Sequence, residues 1–367
     1  MVALAEALRT TLRSQSNGQT LYSAEVQEPW TAAAVPQGGY VLGVIVSAAL
    51  SSQAQTAHPD IIHVSAHFLR PSVLGNAEVV VRRVKVGKTL TNLDADLVQD
   101  GLLKITARLI FGVLPDLSSL RNSSEDLTLL PPSNLARRIP FITHPSQAAG
   151  LSRSHRDTFH HVPVRFATEP IYVARNAAKA AGTLKSDEAS YDGTELEVPG
   201  SGTLEWASWC ELYDDGVETH PDARINTAMI PFIADLLRNM PQTLPKELQP
   251  SPSWYPTITM SIEFKSRIPT SPAFARHTLG LYSSGRFLAE GRHDAYCEVW
   301  TAPSSIRDST NGSERREDKD IEETRHDNDT KQKRWREKQI CLAISHQMAL
   351  TLPIEVNLRR KGAKSRL

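Results

Sequence analysis

Apolar and polar positions fall in the same order at two places along the chain. At 38–50 the run GGYVLGVIVSAAL is almost wholly apolar, and after a gap HVSAHFLRP (63–71) alternates apolar with polar before closing on Arg70 and Pro71. At 226–237 NTAMIPFIADLL is again apolar, and TITMSIEFKSRIP (257–269) alternates and closes on Arg267 and Pro269. Long apolar runs of this kind predict helices held in a core, and period-two alternation predicts strands with one face buried. The correspondence continues, since Phe68 stands 19 positions before Gly87-Lys88 and Phe264 stands 21 before Gly285-Arg286, each pair followed by another alternating stretch. The two units end on strands at 102–112 and 341–353. One helix ahead of an antiparallel meander, met twice, predicts a duplicated α+β architecture.

This pattern divides the chain into a first unit at 1–115, a linker at 116–156, a second unit at 157–355 and a basic tail at 356–367. HHVPVRFA (160–167) alternates like a strand and opens the second unit, with GTLEWASWCELY (202–213) as its partner. Within the second unit, 303–338 is an insert dense in both charge signs and nearly free of apolar residues. It has no face to bury, so a solvated loop or fraying helix between two paired strands is expected. The N-terminal stretch carries Glu6 and Arg9 inside its apolar run, which predicts a short amphipathic helix and defeats a signal-peptide core. The longest apolar run, 41–50, is far below the roughly 20 residues of a membrane span.

A length of 367 residues supports more than one hydrophobic core. Lys plus Arg number 41 and Asp plus Glu number 41, so no overall charge draws the chain to nucleic acid or an anionic membrane. A polyanionic ligand has to be met by local cations. The three cysteines, Cys210, Cys297 and Cys341, lack metal or disulfide-framework spacing, which fits a reducing compartment. The chain closes on Ser365-Arg366-Leu367 behind a run of basic residues. Small, basic, leucine is a conservative variant of the peroxisomal address, so the import receptor is an expected partner, with the cytoplasm as the alternative location.

Several constellations fail on inspection. Gly87-Lys88-Thr89 resembles the end of a phosphate loop, but Arg82 occupies the upstream glycine position and the segment alternates like a strand. No G-x-S-x-G elbow is present, and His155, His160 and His161 have neither metal spacing nor cysteine company. No metal and no cofactor is expected.

The glycine pair of Gly38-Gly39-Tyr40, the run HFLRP within 63–71 and the turn Gly87-Lys88 resemble the acyl-CoA thioesterase II family and its thioesterase-like relatives. The resemblance covers roughly 19–112 and 157–353 without the charged insert. It implies a double hotdog, two antiparallel sheets each wrapped around a long apolar helix, and by the same token a homodimer. It also implies a catalytic set in the second half, an Asp in the helix, a Thr opening the next strand and a Gln in the last. These fall on Asp235, Thr257 and Gln347.

Thioester hydrolysis needs a positioned water, a group to take its proton and donors for the oxyanion. Asp235 is either a base whose burial in an apolar run raises its pKa, or a carboxylate on the exposed stripe of an amphipathic helix. By strict alternation Thr257 shares a face with Thr259, Ser261 and Glu263, the reading of a solvent-facing threonine, and Gln347 shares the small face of Ala343, Ser345 and Ala349. Gly38, Gly39 and Tyr40 open the first helix, where unpaired N–H groups could polarise a carbonyl, or where a turn simply needs glycine. Trp30, Pro36 and Gln37 precede them at the same entrance. Arg70, Lys88 and Arg286 each follow or end a strand and are candidates for the CoA phosphates.

The expected activity is therefore hydrolysis of a fatty or specialised-metabolite acyl-CoA to free acid and CoA by water attack, without a covalent intermediate. The alternative is a hotdog protein that binds acyl-CoA or assists a pathway partner without turnover. Dehydration of a hydroxyacyl-CoA expects an Asp/His pair, and Asp235 has no histidine near it in sequence.

Overall fold

The computed structural model describes residues 2–117, 128–148, 163–183, 203–212, 224–306 and 335–362. The chain opens on α1 (Leu4–Ala7), whose Leu4 and Ala7 are buried, the short amphipathic helix expected there. An exposed strand β1 (Thr11–Ser16) and β2 (Gln19–Val26) follow. Next comes a tight hairpin of β3 (Thr31–Ala32) and β4 (Val35–Pro36), with Ala33 in the left-handed region at φ 56°. It delivers the chain to α2 (Gly38–Gln53), capped by the Gln37 side chain, which accepts from the Tyr40 N–H at 2.7 Å. Residues from Tyr40 to Val46 are buried on every side, as befits a helix apolar all round. The meander β5 (Asp60–Phe68), β6 (Gly75–Val86), β7 (Thr91–Gln99) and β8 (Leu102–Gly112) completes the first unit in the predicted order.

The second unit begins with β9 (Val164–Thr168), α3 (Pro170–Ala180) and β10 (Leu204–Leu212), and β9 pairs with β10 as its alternation predicts. Here the duplication weakens. In place of a second long helix over 226–237, a 3-10 turn (Thr227–Met229) leads into α4 (Ile230–Ala234), which stops at Asp235. Pro231 suits only a first turn, and Pro241 lacks the N–H that a helix running past Leu237 would need. Instead Asn239 and Gln242 form a capping box that starts α5 (Met240–Thr243). The unit continues through β11 (Ser253–Trp254), β12 (Thr257–Phe264), β13 (Thr278–Gly285), β14 (Leu288–Ala289), β15 (Arg292–Thr301), β16 (Cys341–Leu350), β17 (Leu352–Pro353) and α6 (Ile354–Gly362).

A single antiparallel sheet of 13 strands, not two sheets, carries both units. Its order is β1-β2-β6-β7-β8-β5-β12-β16-β15-β13-β10-β9, with β14 paired to β15 off this path, so the seam is the pairing of β5 with β12, where Ser261 lies opposite Ser65. Across this seam the α2 helix packs on α4 through Gly39 and on the preceding 3-10 turn through Gly43. A Cβ on Gly43 would come within 2.7 Å of the Ala228 carbonyl, and one on Gly39 would strike the Pro231 carbonyl. Glycine is what lets the two backbones touch.

Two segments depart from expectation at the ends of the second unit. The 303–338 insert is described only at its margins, and those margins are packed: Ile306 is buried and Trp335 lies 6.0 Å from the Trp209 ring. The stretch read as a basic tail from 356 is helical through Gly362, and Ser365-Arg366-Leu367 lie outside the described residues, as do His155, His160 and His161. Among the described residues no helix is long and apolar enough to cross a membrane.

Candidate active site

Asp235 stands at the C-terminal end of α4, where its own N–H bonds back to the Pro231 and Phe232 carbonyls. Its side chain crosses the seam. Oδ2 accepts the Gly39 N–H at 2.8 Å, a donor that the first turn of α2 leaves without an intrahelical partner. Oδ1 lies 3.3 Å from the Thr257 hydroxyl. Burial raises the carboxyl from its ordinary 3.8 to about 6, while the bonds from Gly39, Thr257 and Gln347 act in the opposite sense and limit the rise. A carboxylate so placed is ionised at neutral pH yet more basic than one in water.

Thr257 reaches this carboxylate because strict alternation fails. The register of β12 on β16 shifts between Thr257, which faces Ala349, and Thr259, which faces Met348. The extra residue is a β-bulge at Ile258, and it moves Thr257 off the face of Thr259, Ser261 and Glu263 onto the inner face. Gln347 occupies that face too, opposite Met260 and buried. Its Oε1 is 3.4 Å from the Thr257 hydroxyl, and its Nε2 donates to the Ala234 carbonyl at 3.5 Å. The single hydroxyl proton of Thr257 serves either Asp235 or Gln347, not both.

Asp235 and Thr257 open on a cavity of about 710 Å3 at the seam, walled by Gly38, Phe68, Arg70, Tyr255 and residues of α6 among others. Gly38, Pro36 and Gln37 line it as expected. Trp30 is instead buried against Phe232, with ring centroids 5.2 Å apart. Gly39 gives its N–H to Asp235 and so has none to offer an oxyanion. Tyr40 turns away altogether, because two residues along a helix rotate a side chain by about 200°. It is buried, its hydroxyl accepting from the Gln27 N–H at 3.1 Å and donating to the Ala7 carbonyl at 3.2 Å, with its pKa pushed up to about 12 by desolvation. That leaves Gly38, whose N–H meets no acceptor among the described residues.

Of the three cations proposed for CoA, only Arg70 lines this cavity. Lys88 borders a separate hollow of about 290 Å3 beside His58, and Arg286 sits exposed past β13, its N–H donating to Asp294. Asn239, Trp254 and Tyr255 are cavity residues that periodicity does not single out, because they stand in short irregular segments. Among the described residues no cluster of three or more His, Cys, Asp or Glu could hold a metal ion.

Comparison with known proteins adds the chemistry. Residues 26–112 match the family model of the acyl-CoA thioesterase N-terminal domain. Among solved structures, the acyl-CoA thioesterase II TesB2 of Mycobacterium marinum is 13% identical and superposes with a TM-score of 0.56, over 96% of this chain and 99% of that one. A Thermobifida fusca YX protein classed as a thioesterase II is 20% identical at a TM-score of 0.55, over 96% and 98%. A conserved protein of unknown function with a hot dog fold from Alicyclobacillus acidocaldarius gives 14% and 0.54, over 96% and 98%. At such identities the likeness is one of fold. No curated protein matches the chain. The resemblance to acyl-CoA thioesterases stands over the matched residues, and with the shared fold it supports a thioester hydrolase.

Proposed function

We propose that this chain is a pair of hotdog units fused in one polypeptide that hydrolyses acyl-CoA by direct attack of water, with Asp235 as the base. The observation that carries the reading is the meeting of Asp235, Thr257 and Gln347, far apart in sequence, beside one cavity at the seam. Thr257 and Gln347 hold the water by hydrogen bonds, and Asp235 takes its proton as the C–O bond forms. The Gly38 N–H, at the start of a long helix, polarises the carbonyl and receives the developing oxyanion. Collapse of the tetrahedral intermediate breaks the C–S bond, and the Asp235 carboxyl returns the proton to the CoA thiolate. The test is release of CoA from a panel of short, medium and long acyl-CoAs, including acyl groups of specialised metabolism. Saturable binding with no release would favour the non-catalytic reading.

The pH profile carries its own sign. A base must be ionised, so kcat is expected to rise with pH through about 6 and to level off above it, unlike a limb near the ordinary 3.8. A rate flat between pH 5 and pH 8, or a limb near 4, shows instead a base that titrates as an ordinary carboxylate, without the rise that burial gives Asp235.

We propose further that Ser365-Arg366-Leu367 directs the protein to peroxisomes and that it works as a homodimer. A fluorescent protein fused at the N-terminus is expected to give punctate signal coincident with a peroxisomal marker, lost when the last three residues are removed. Sedimentation at micromolar concentration reads the oligomeric state.

A further inference from the structure

The cavity has a wall that no catalytic argument uses. After β16 the chain crosses the mouth of the seam: Leu350 and Ile354 donate their N–H groups to the Pro256 and Pro252 carbonyls, and β17 pairs with β11. It then enters α6, and Ile354, Val356 and Asn357 of that helix line the cavity. Val356 is 36% exposed there and Leu69, across the same cavity, is 50% exposed. Apolar side chains left in water around a concave site are what an apolar ligand would cover.

Asn357 fastens the helix to the other half of the molecule. Asn357 is fully buried, and its amide works as a two-pronged clamp on the turn of the β3–β4 hairpin. Oδ1 accepts the Ala34 N–H at 3.0 Å, and Nδ2 donates to the Ala32 carbonyl at 3.2 Å. The Ala32 carbonyl also belongs to the β3–β4 ladder, where Ala32 faces Val35, so losing the clamp costs chiefly the acceptor of the half-buried Ala34 N–H. The hairpin runs directly into Gln37 and Gly38. A residue near the C-terminal end of the described chain thus holds the segment that brings α2 to Asp235.

We propose that α6 is the specificity wall of the cavity, with Val356 limiting the length of the acyl chain, and that Asn357 is the positioning residue that keeps the wall closed on the hairpin. This rests on the acyl-CoA reading, so its test separates the two. Full-length protein is titrated calorimetrically with thioether analogues of acyl-CoA of increasing chain length, which bind but are not hydrolysed. Val356→Trp is expected to weaken the longest chain by roughly tenfold and to leave the shortest within about twofold, while Val356→Ala favours the longer chains. Hydrogen exchange supplies a readout free of substrate. Asn357→Ala loses protection at the Ala34 amide, and Asn357→Asp, which keeps the acceptor, retains it.

Equal shifts across all chain lengths in both Val356 variants, or no shift in either, overturn the wall. Undiminished Ala34 protection in Asn357→Ala overturns the clamp. Length-selective binding without CoA release by the wild type removes the hydrolase and keeps the wall. CoA release with an unchanged length profile does the reverse, and no binding of any analogue overturns both.

Discussion

Asp235→Asn is expected to lower kcat for acyl-CoA hydrolysis about 10³-fold, within the range for loss of a positioned base, with little change in KM. The amide is isosteric and can still accept the Gly39 N–H, so the cavity keeps its shape while the proton loses its destination. Stability distinguishes this from damage to the fold. Burial raises the carboxyl from 3.8 to about 6, so folding favours its protonated form. That contribution to stability is complete below about pH 4 and is lost as pH rises through about 6. At pH 8 the wild type carries a buried carboxylate that the variant lacks, and Asp235→Asn is expected to melt at the same temperature or higher. A variant with wild-type rates removes Asp235 from the chemistry. One that is inactive and also melts well below the wild type shows the residue holding the seam instead.

The second large effect is on folding. Gly39→Ala is expected to destabilise the protein by about 3 kcal/mol or more, beyond the usual cost of an added methyl, because what it meets cannot move aside. The new Cβ would strike the Pro231 carbonyl and stand 2.6 Å from the Asp235 Cβ, so relief requires α2 and α4 to separate. Gly38→Ala is the control. Its Cβ meets the Phe68 ring at 3.2 Å and the Asp235 carboxylate at 3.4 Å, side chains that can yield by a few tenths of an ångström. Urea denaturation of both variants reads the difference as a midpoint shift. Equal midpoints would mean that the close approach of the two helices contributes nothing to the seam.

Much of the architecture was legible because it rests on periodicity. The strands of both meanders, the apolar α2 helix and the β9–β10 pair all follow from which positions are apolar. The second long helix does not form because an apolar run says that a segment is buried, not that it is helical, and Pro231 inside this one and Pro241 just beyond it confine the helix to a short piece. In the site, Asp235 at the end of α4 and Gln347 on β16 both come within hydrogen-bond reach of Thr257. Thr257 arrives only through a bulge, which inserts one residue and turns Thr257 against the alternation that the rest of the strand keeps. Tyr40 and Gly39 show the limit of reading a short motif as a unit, since three consecutive residues at a helix start point in three directions. Lys88 and Arg286 show that a charge at a strand end carries no information about which end of the sheet a ligand uses. Asn357 was hidden by its neighbours, as Arg359, Arg360 and Lys361 make the segment look like a solvated tail.

The two units do not contribute alike to the seam. α2 contains no acidic residue, and the carboxylate of the site comes from the shortened helix of the other unit. Counted as binding equivalents, duplication has therefore not doubled the chemistry: a tight thioether analogue should saturate at one per chain, and a dimer of chains at two. The half that supplies the carboxylate also carries a second apolar cluster, in which Phe141, Trp209 and Trp300 are buried apart from the main core.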